Sequence, residues 1–173
     1  LALDDTNQPH FIDSTKISGG KFKFQGKFEV PRYCTINIYL DPNDRQTRSK
    51  IINFSLFIDS TAVEATCNYS GKHPVFQISG SGTQTEYQNY LSEIQPMEDD
   101  RSKTFHAYGE AYYSTKDLAK AIDLAKLVTE KRLAIREAKM KYLKAHPESA
   151  ISVKIAQELS DRNSDLSLKE IEG

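Results

Sequence analysis

Ile78-Ser79-Gly80-Ser81-Gly82-Thr83-Gln84-Thr85-Glu86-Tyr87 is where the chain changes its period. Upstream of it, apolar residues recur at every second position; downstream, they recur at three and four. A period of two places alternate side chains on opposite faces of a strand, whereas a period of 3.6 gathers them on one face of a helix. The stretch is therefore a seam between a β half, residues 1–80, and a helical half, residues 81–173. Gly82 lets the chain turn, and Thr83-x-x-Glu86 has the form of a capping box that opens the first helix. The fold class that follows is α+β: an antiparallel β-sandwich or barrel-like sheet in the N-terminal half, then a helical extension with one long helix.

Working upstream, Phe76 and Ile78 close a series of short alternating runs. Val63, Ala65 and Cys67 form the run before them, and Ile52, Phe54, Leu56 and Ile58 the one before that. Cys34, Ile36, Ile38 and Leu40 precede these, and Phe22, Phe24, Phe28 and Val30 predict a further strand with Gly26 as a bulge or bend. Ser18-Gly19-Gly20 reads as a tight turn from a strand around Phe11 to Ile17. Asp41-Pro42-Asn43-Asp44-Arg45, Asp59-Ser60 and Ser70-Gly71-Lys72-His73-Pro74 are dense in turn formers. Five or six short strands at this spacing predict an antiparallel sandwich or barrel-like sheet.

Downstream, Tyr87, Tyr90, Leu91 and Ile94 lie on one helical face. Pro96 is expected to stop or kink that helix. Phe105, Tyr108 and Tyr112 repeat a helical spacing, although Gly109 weakens it. Ser114 or Thr115 is expected to cap a long helix ending near Ala145. Its stripe of Leu118, Ala121, Ile122 and Ala125 is broken by Thr129, Arg132 and Arg136. A second row of Leu124, Val128, Ile135 and Tyr142 implies a buried face that rotates along the helix. His146-Pro147-Glu148-Ser149 ends it, and Ala150, Val153, Ile155, Ala156 and Leu159 supply one more apolar face. Ser167-x-x-Glu170 resembles another capping box close to Gly173, which leads us to expect a natural chain that continues; the start at Leu1 reads as a processed or engineered N-terminus.

Composition narrows the function classes. The net charge of −1 gives the whole chain no electrostatic reason to seek nucleic acid. Lys116 to His146 carries nine basic and four acidic residues, and a solvated helix with pairs such as Glu137 and Lys141 accounts for it. No apolar run approaches the ~20 residues of a membrane-spanning helix, so no transmembrane segment is expected. Cys34 and Cys67 form no CxxC and fall on apolar sides of their strands. Two buried free thiols are the expected outcome, with a disulfide between neighbouring strands as the alternative.

Chemistry-bearing patterns are sparse. Gly80-Ser81-Gly82 lacks the Gly-Lys-Ser/Thr ending of a phosphate loop and the flanking residues of a nucleophile elbow. His10, His73, His106 and His146 are scattered, without metal-ligand spacing. Glu98-Asp99-Asp100-Arg101 reads as a solvated patch. No catalytic, cofactor-binding or metal-binding residue is assigned, and no enzyme activity is expected of this chain. Tyr108, Tyr112 and Tyr113 are the candidate interaction surface, since tyrosine combines apolar area with a polar tip; helix packing is the competing explanation.

Taken in order, several motifs resemble one family. Ile12-Asp13-Ser14-Thr15-Lys16-Ile17-Ser18-Gly19-Gly20-Lys21-Phe22-Lys23-Phe24-Gln25-Gly26-Lys27, with Pro31 after it, resembles the opening of a domain of unknown function. That domain stands at the N-terminus of TlpA/ResA-like thiol–disulfide reductases in Bacteroidota. The seam Ile78-Ser79-Gly80-Ser81, with Gln84, Glu86 and Tyr87, is similar to the domain's junction. Tyr142-Leu143-Lys144-Ala145-His146-Pro147-Glu148-Ser149 is similar to the step after its long helix. The resemblance implies a β-rich domain with a helical extension, exported to the periplasm or outer cell envelope, often behind a lipoprotein signal. It further implies a C-terminal thioredoxin-fold domain as intramolecular partner, with this chain positioning it, dimerising it as a homodimer or engaging its substrates. A stand-alone envelope lipoprotein that binds a peptide, glycan or partner protein is the alternative. Redox chemistry is carried over to no residue here, because the chain lacks CxxC.

Overall fold

The computed structural model describes residues 2–3, 10–25, 28–41, 43, 51–69 and 74–160. The chain divides into two compact units, Leu1–Tyr87 and Gln88–Gly173. In the first, β1 (Ala2–Leu3), β2 (His10–Phe11), β3 (Arg32–Tyr39) and β4 (Ile51–Ile58) form an antiparallel sheet in the order β2-β1-β3-β4. A second sheet pairs β5 (Glu64–Tyr69) with β6 (Pro74–Ser79). Three helices follow, so the class is α+β, and the described strands form two open sheets rather than a closed barrel.

Register explains where the core sits. Cys34 lies opposite Leu56 and Ile36 opposite Phe54, so one face of the β3–β4 pair is continuously apolar. These four residues are buried, and Val63, Ala65, Phe76 and Ile78 of the second sheet pack against them. Phe54 stacks on Phe76 with ring centroids 4.3 Å apart. Each large side chain buried this way contributes about 1.5–3 kcal/mol.

The described residues of the run from Phe22 to Val30 do not form a strand, contrary to its alternation. Phe22, Phe24 and Phe28 do pack on the core, but the described backbone there makes no ladder and Val30 is half-exposed. Alternation reports an extended chain with one wet side; strand pairing needs a neighbour as well. Gly26 lies outside the described residues, as do Pro42, Asp44, Arg45, Ser70 to His73 and Ser167 to Glu170. The strand expected from Phe11 to Ile17 shrinks to His10–Phe11. The turn at Ser18-Gly19-Gly20-Lys21 forms as read: Ser18 and Lys21 exchange two backbone hydrogen bonds of 3.0 and 3.1 Å. Its central glycines sit at φ +58° and +74°, a geometry that favours glycine at both positions.

Cys34 is buried, whereas Cys67, within β5, is exposed; both are free thiols. The expectation of two buried thiols therefore fails for Cys67: Val63 and Ala65 of the same parity pack against the core, and Cys67 does not.

The helices are α1 (Gly82–Gly109), α2 (Leu118–Ala145) and α3 (Ala150–Ser160), with a π-helical turn at Glu110–Thr115 between the first two. Pro96 does not stop α1. Pro96 and Ser92 are both on the exposed side, so water can take the Ser92 carbonyl that proline leaves without a donor. Asp117 caps α2, accepting from the Lys120 N–H at 3.0 Å, in place of Ser114 or Thr115. The π turn carries the helical backbone past those two residues and ends at Lys116, whose φ of 58° is left-handed.

Within the second unit, Tyr90 packs edge-on against Tyr142 at 4.8 Å, and Asp100 pairs with Lys131. α1 and α2 thus form an antiparallel hairpin, and that register brings Ala111 to the level of Ala121; both are buried. Leu124, Val128, Ile135 and Tyr142 line the covered side of α2, while Leu118, Ile122 and Ala125 are exposed. Of the first-named stripe of the sequence only Ala121 is buried. On α3 the buried residues are Ile151, Ser152, Ile155 and Leu159, and Val153 is exposed instead of inward. Lys139 bridges Glu98 and Glu158 at 3.6 and 3.1 Å.

The two thiols give a direct check on the core. A thiol reagent added to the native protein should label Cys67 at once and Cys34 only after denaturation; rapid labelling of both would contradict the buried position of Cys34.

Candidate functional site

The seam and the tyrosine cluster are the two places where sequence points toward function. At the seam, Asp59 leaves β4 and turns its carboxylate toward the start of α1. Ser81 donates its hydroxyl to Asp59 Oδ2 at 2.6 Å and accepts the Gln84 N–H at 3.0 Å. Ser81 is therefore the N-cap of α1. The cap expected at Thr83 lies two residues too far along; Ser81-x-x-Gln84 has the same spacing and is the pattern used.

Gln84 departs from an ordinary capping box. Its side chain turns away from the Ser81 backbone, and Oε1 accepts the Phe57 N–H at 2.7 Å. Phe57 is on β4, whose N–H at this position points away from β3, so the amide covers a donor on the sheet edge. Both Ser81 and Gln84 are nearly inaccessible, at 2% and 3% exposure. Buried polar groups need partners, and here each supplies the other element's deficit.

Gly80 makes the approach feasible. Its φ is +101°, and a Cβ there would collide with the backbone carbonyl oxygen of Ala62. Thr61 reinforces the corner: its N–H donates to Asp59 Oδ1 at 2.8 Å, and its hydroxyl lies between that oxygen and the Gly80 carbonyl. These donors, the Ser81 hydroxyl foremost, then Thr61 and the Thr83 N–H, hold the Asp59 carboxyl well below the usual carboxylate range against the opposing effect of burial. One turn on, Tyr87 packs its ring on Tyr33 and Phe57, at 5.7 and 5.1 Å. It covers the opposite face of the sheet from the sandwich core, which is why adjacent residues Leu56 and Phe57 are both buried.

A family model for a domain of unknown function, DUF4369, matches residues 1–87. The chain belongs to the DUF4369 family. The DUF4369 match ends at Tyr87, the last residue of the first compact unit. It therefore includes all six described strands and the whole seam, including the first helical turn. No curated protein and no solved structure matches the chain significantly.

The tyrosines lie outside the DUF4369 match. Phe105, Tyr108, Tyr112 and Tyr113 form a continuous ladder of ring contacts at 6.0, 5.8 and 4.8 Å. Tyr108 is half-buried, whereas Tyr112 and Tyr113 are 42% and 67% exposed. The π turn sets their direction: Ala111 is buried, and its carbonyl accepts the Asp117 N–H at 3.0 Å and the Thr115 hydroxyl at 3.3 Å. Among the described residues no group of three His, Cys, Asp or Glu could hold a metal ion. Glu98 and Asp100, of the patch read as solvated, pair with Lys139 and Lys131, and Asp100 stays exposed.

Three comparisons test the seam. Gly80→Ala should destabilise the first unit by about 2 kcal/mol or more, since it combines strain at positive φ with a backbone collision, while Gly82→Ala, with open space, should be nearly neutral in urea denaturation. A carboxyl with a depressed folded pKa contributes stability above its unfolded value near 4, lost as pH falls through the folded one. Asp59→Asn should therefore lower the urea midpoint at pH 7, and its difference from wild type should shrink steadily as the pH is lowered below 4. Ser81→Ala should cost about 1 kcal/mol at pH 7.

Proposed function

We propose that this chain is a non-catalytic accessory domain of a thioredoxin-like thiol–disulfide oxidoreductase of the cell envelope, serving in positioning, dimerisation or substrate engagement. The observation that carries the reading is the use to which the seam is put. Gly80, Ser81, Gln84 and Tyr87, the residues on which the family resemblance turns, all hold the sheet to the helix start. A domain whose characteristic residues are committed to its own corner is suited to carrying and placing another. Dithiol exchange would use cysteines outside this chain, since Cys34 is buried and Cys67 stands apart from it. The resemblance of the motifs to a domain preceding a thioredoxin fold supports the identity of that cargo, and the export of such proteins supports the compartment.

The exposed tyrosine ladder favours a second reading, a stand-alone envelope lipoprotein that binds a peptide, glycan or partner protein through Tyr108, Tyr112 and Tyr113. Exposed aromatic rings offer apolar area at little entropic cost, as recognition surfaces require.

The two readings separate experimentally. The natural coding sequence is read on both sides of this stretch, and the full-length product is assayed for reduction of insulin disulfides. We expect an adjoining thioredoxin-fold domain with CxxC, and reductase activity whose substrate selectivity changes when residues 1–160 are deleted. A gene without such a domain overturns the first reading. Because the chain has no tryptophan, tyrosine fluorescence reports on the ladder. The second reading expects a peptide or glycan from an array to shift that fluorescence, and Tyr112→Ala with Tyr113→Ala to abolish the shift; binding indifferent to both substitutions sinks it.

A further inference from the structure

We propose that the exposed stripe of α2 is a homodimer interface, in which a second copy's α2 packs antiparallel against it about a two-fold axis. Leu118, Ile122, Ala125, Thr129 and Leu133 recur at four, three, four and four residues, the spacing of a helix-packing seam. All five are exposed, with Leu118 at 60% and Ile122 at 58%. This is a second seam, because the hairpin with α1 uses Ala121, Leu124, Val128 and Ile135.

The aromatic ladder extends the same side. Ala111 and Ala121 stand at one level inside the hairpin; Tyr112 and Ile122 are each one residue further on. In antiparallel helices the same rotational step leads to the same side of the pair, so Tyr112 and Ile122 share a surface. The exposed parts of Leu118, Ile122, Leu133, Phe105 and Tyr112 amount to on the order of 500 Å² of apolar area, at ~150–250 Å² per fully exposed aromatic ring. A standard interface buries ~800 Å² per partner, about 65% of it apolar in homodimers, which is the same apolar area. The largest apolar patch of a protein is often a functional surface.

What selects a second copy as the occupant is self-complementarity. A two-fold interface brings residue i to j and j to i. With the axis near residue 128, Lys126 meets the other copy's Glu130 and Glu130 meets its Lys126. The same axis sets Ile122 against Leu133, and Leu133 against Ile122. Polar and apolar pairings thus share one midpoint. The small side chains of Ala125 and Thr129 lie between them, and with Ile122, Lys126 and Glu130 they line a shallow depression of about 500 Å³, room for an opposing ridge. The proposal deepens the dimerisation role above by naming its surface, but needs no thioredoxin domain, so the two can fail separately.

Sedimentation velocity on the 173-residue chain tests it. Wild type should be a dimer at ~100 µM, and Ile122→Glu a monomer with unchanged helicity by circular dichroism; Leu133→Lys serves the same purpose should the first variant lose structure. Lys126→Glu and Glu130→Lys should each raise the dimer Kd about tenfold, as like charges then face each other, and the double swap should restore it to within about twofold. A monomeric wild type, a dimer indifferent to both apolar substitutions, or a double swap without rescue overturns the proposal.

Discussion

The Ser81 hydroxyl, held between the Asp59 carboxylate and the Gln84 N–H, is the contact on which the first unit's corner depends. It joins the end of the second β-sheet, the turn after β4 and the first turn of α1 at one buried point. A hydroxyl can donate once and accept more than once, so it suits a place where a carboxylate and a helix N-terminus both need satisfying. The helix start favours negative charge nearby, and Asp59 supplies it. The contact is reachable because Gly80 has no Cβ, so the chain passes within backbone distance of Ala62. Once α1 is set there, Gln84 reaches the β4 edge and Tyr87 reaches Phe57.

That economy bears on function. Serine, aspartate and threonine gathered at a glycine-rich turn have the ingredients of a reactive site, yet here each is engaged in hydrogen bonds of the fold itself. Their hydrogen bonds close on each other and on backbone groups, and the serine is buried. The low pKa of Asp59 belongs to the same closure, since a carboxylate receiving this many donors is stabilised in its charged form. A perturbed carboxyl can mark a structural corner as well as a reactive centre. On the helical hairpin, aromatic rings and an aliphatic stripe stay exposed.

Much of this is legible in the amino-acid sequence. The strands β3 to β6 follow their alternation closely, since the apolar parity of Cys34 and Ile36 matches that of Phe54 and Leu56. The end of α2 falls at Ala145, as His146-Pro147 implied. The misreadings share a cause. Phe22 to Val30 alternates without pairing, Thr83 has a cap sequence that Ser81 also has, and Leu118 with Ile122 forms the more regular stripe yet is the exposed one. In each case local pattern offered two satisfactory answers.

Sequence by itself determined the α+β class and the place where strand gives way to helix, because side-chain period is a local property; it pointed to Gly82 for the turn, whereas the close approach to Ala62 falls on Gly80. Tertiary structure alone decided which of two caps is used, which of two stripes is buried, and that Phe57 has a covered face of its own. Those choices depend on what stands opposite: Asp59 across from Ser81, α1 alongside Leu124 and Val128, Tyr87 above Phe57. A pattern along the chain states that a side is apolar; only the neighbour it meets decides whether that side is shut or left open.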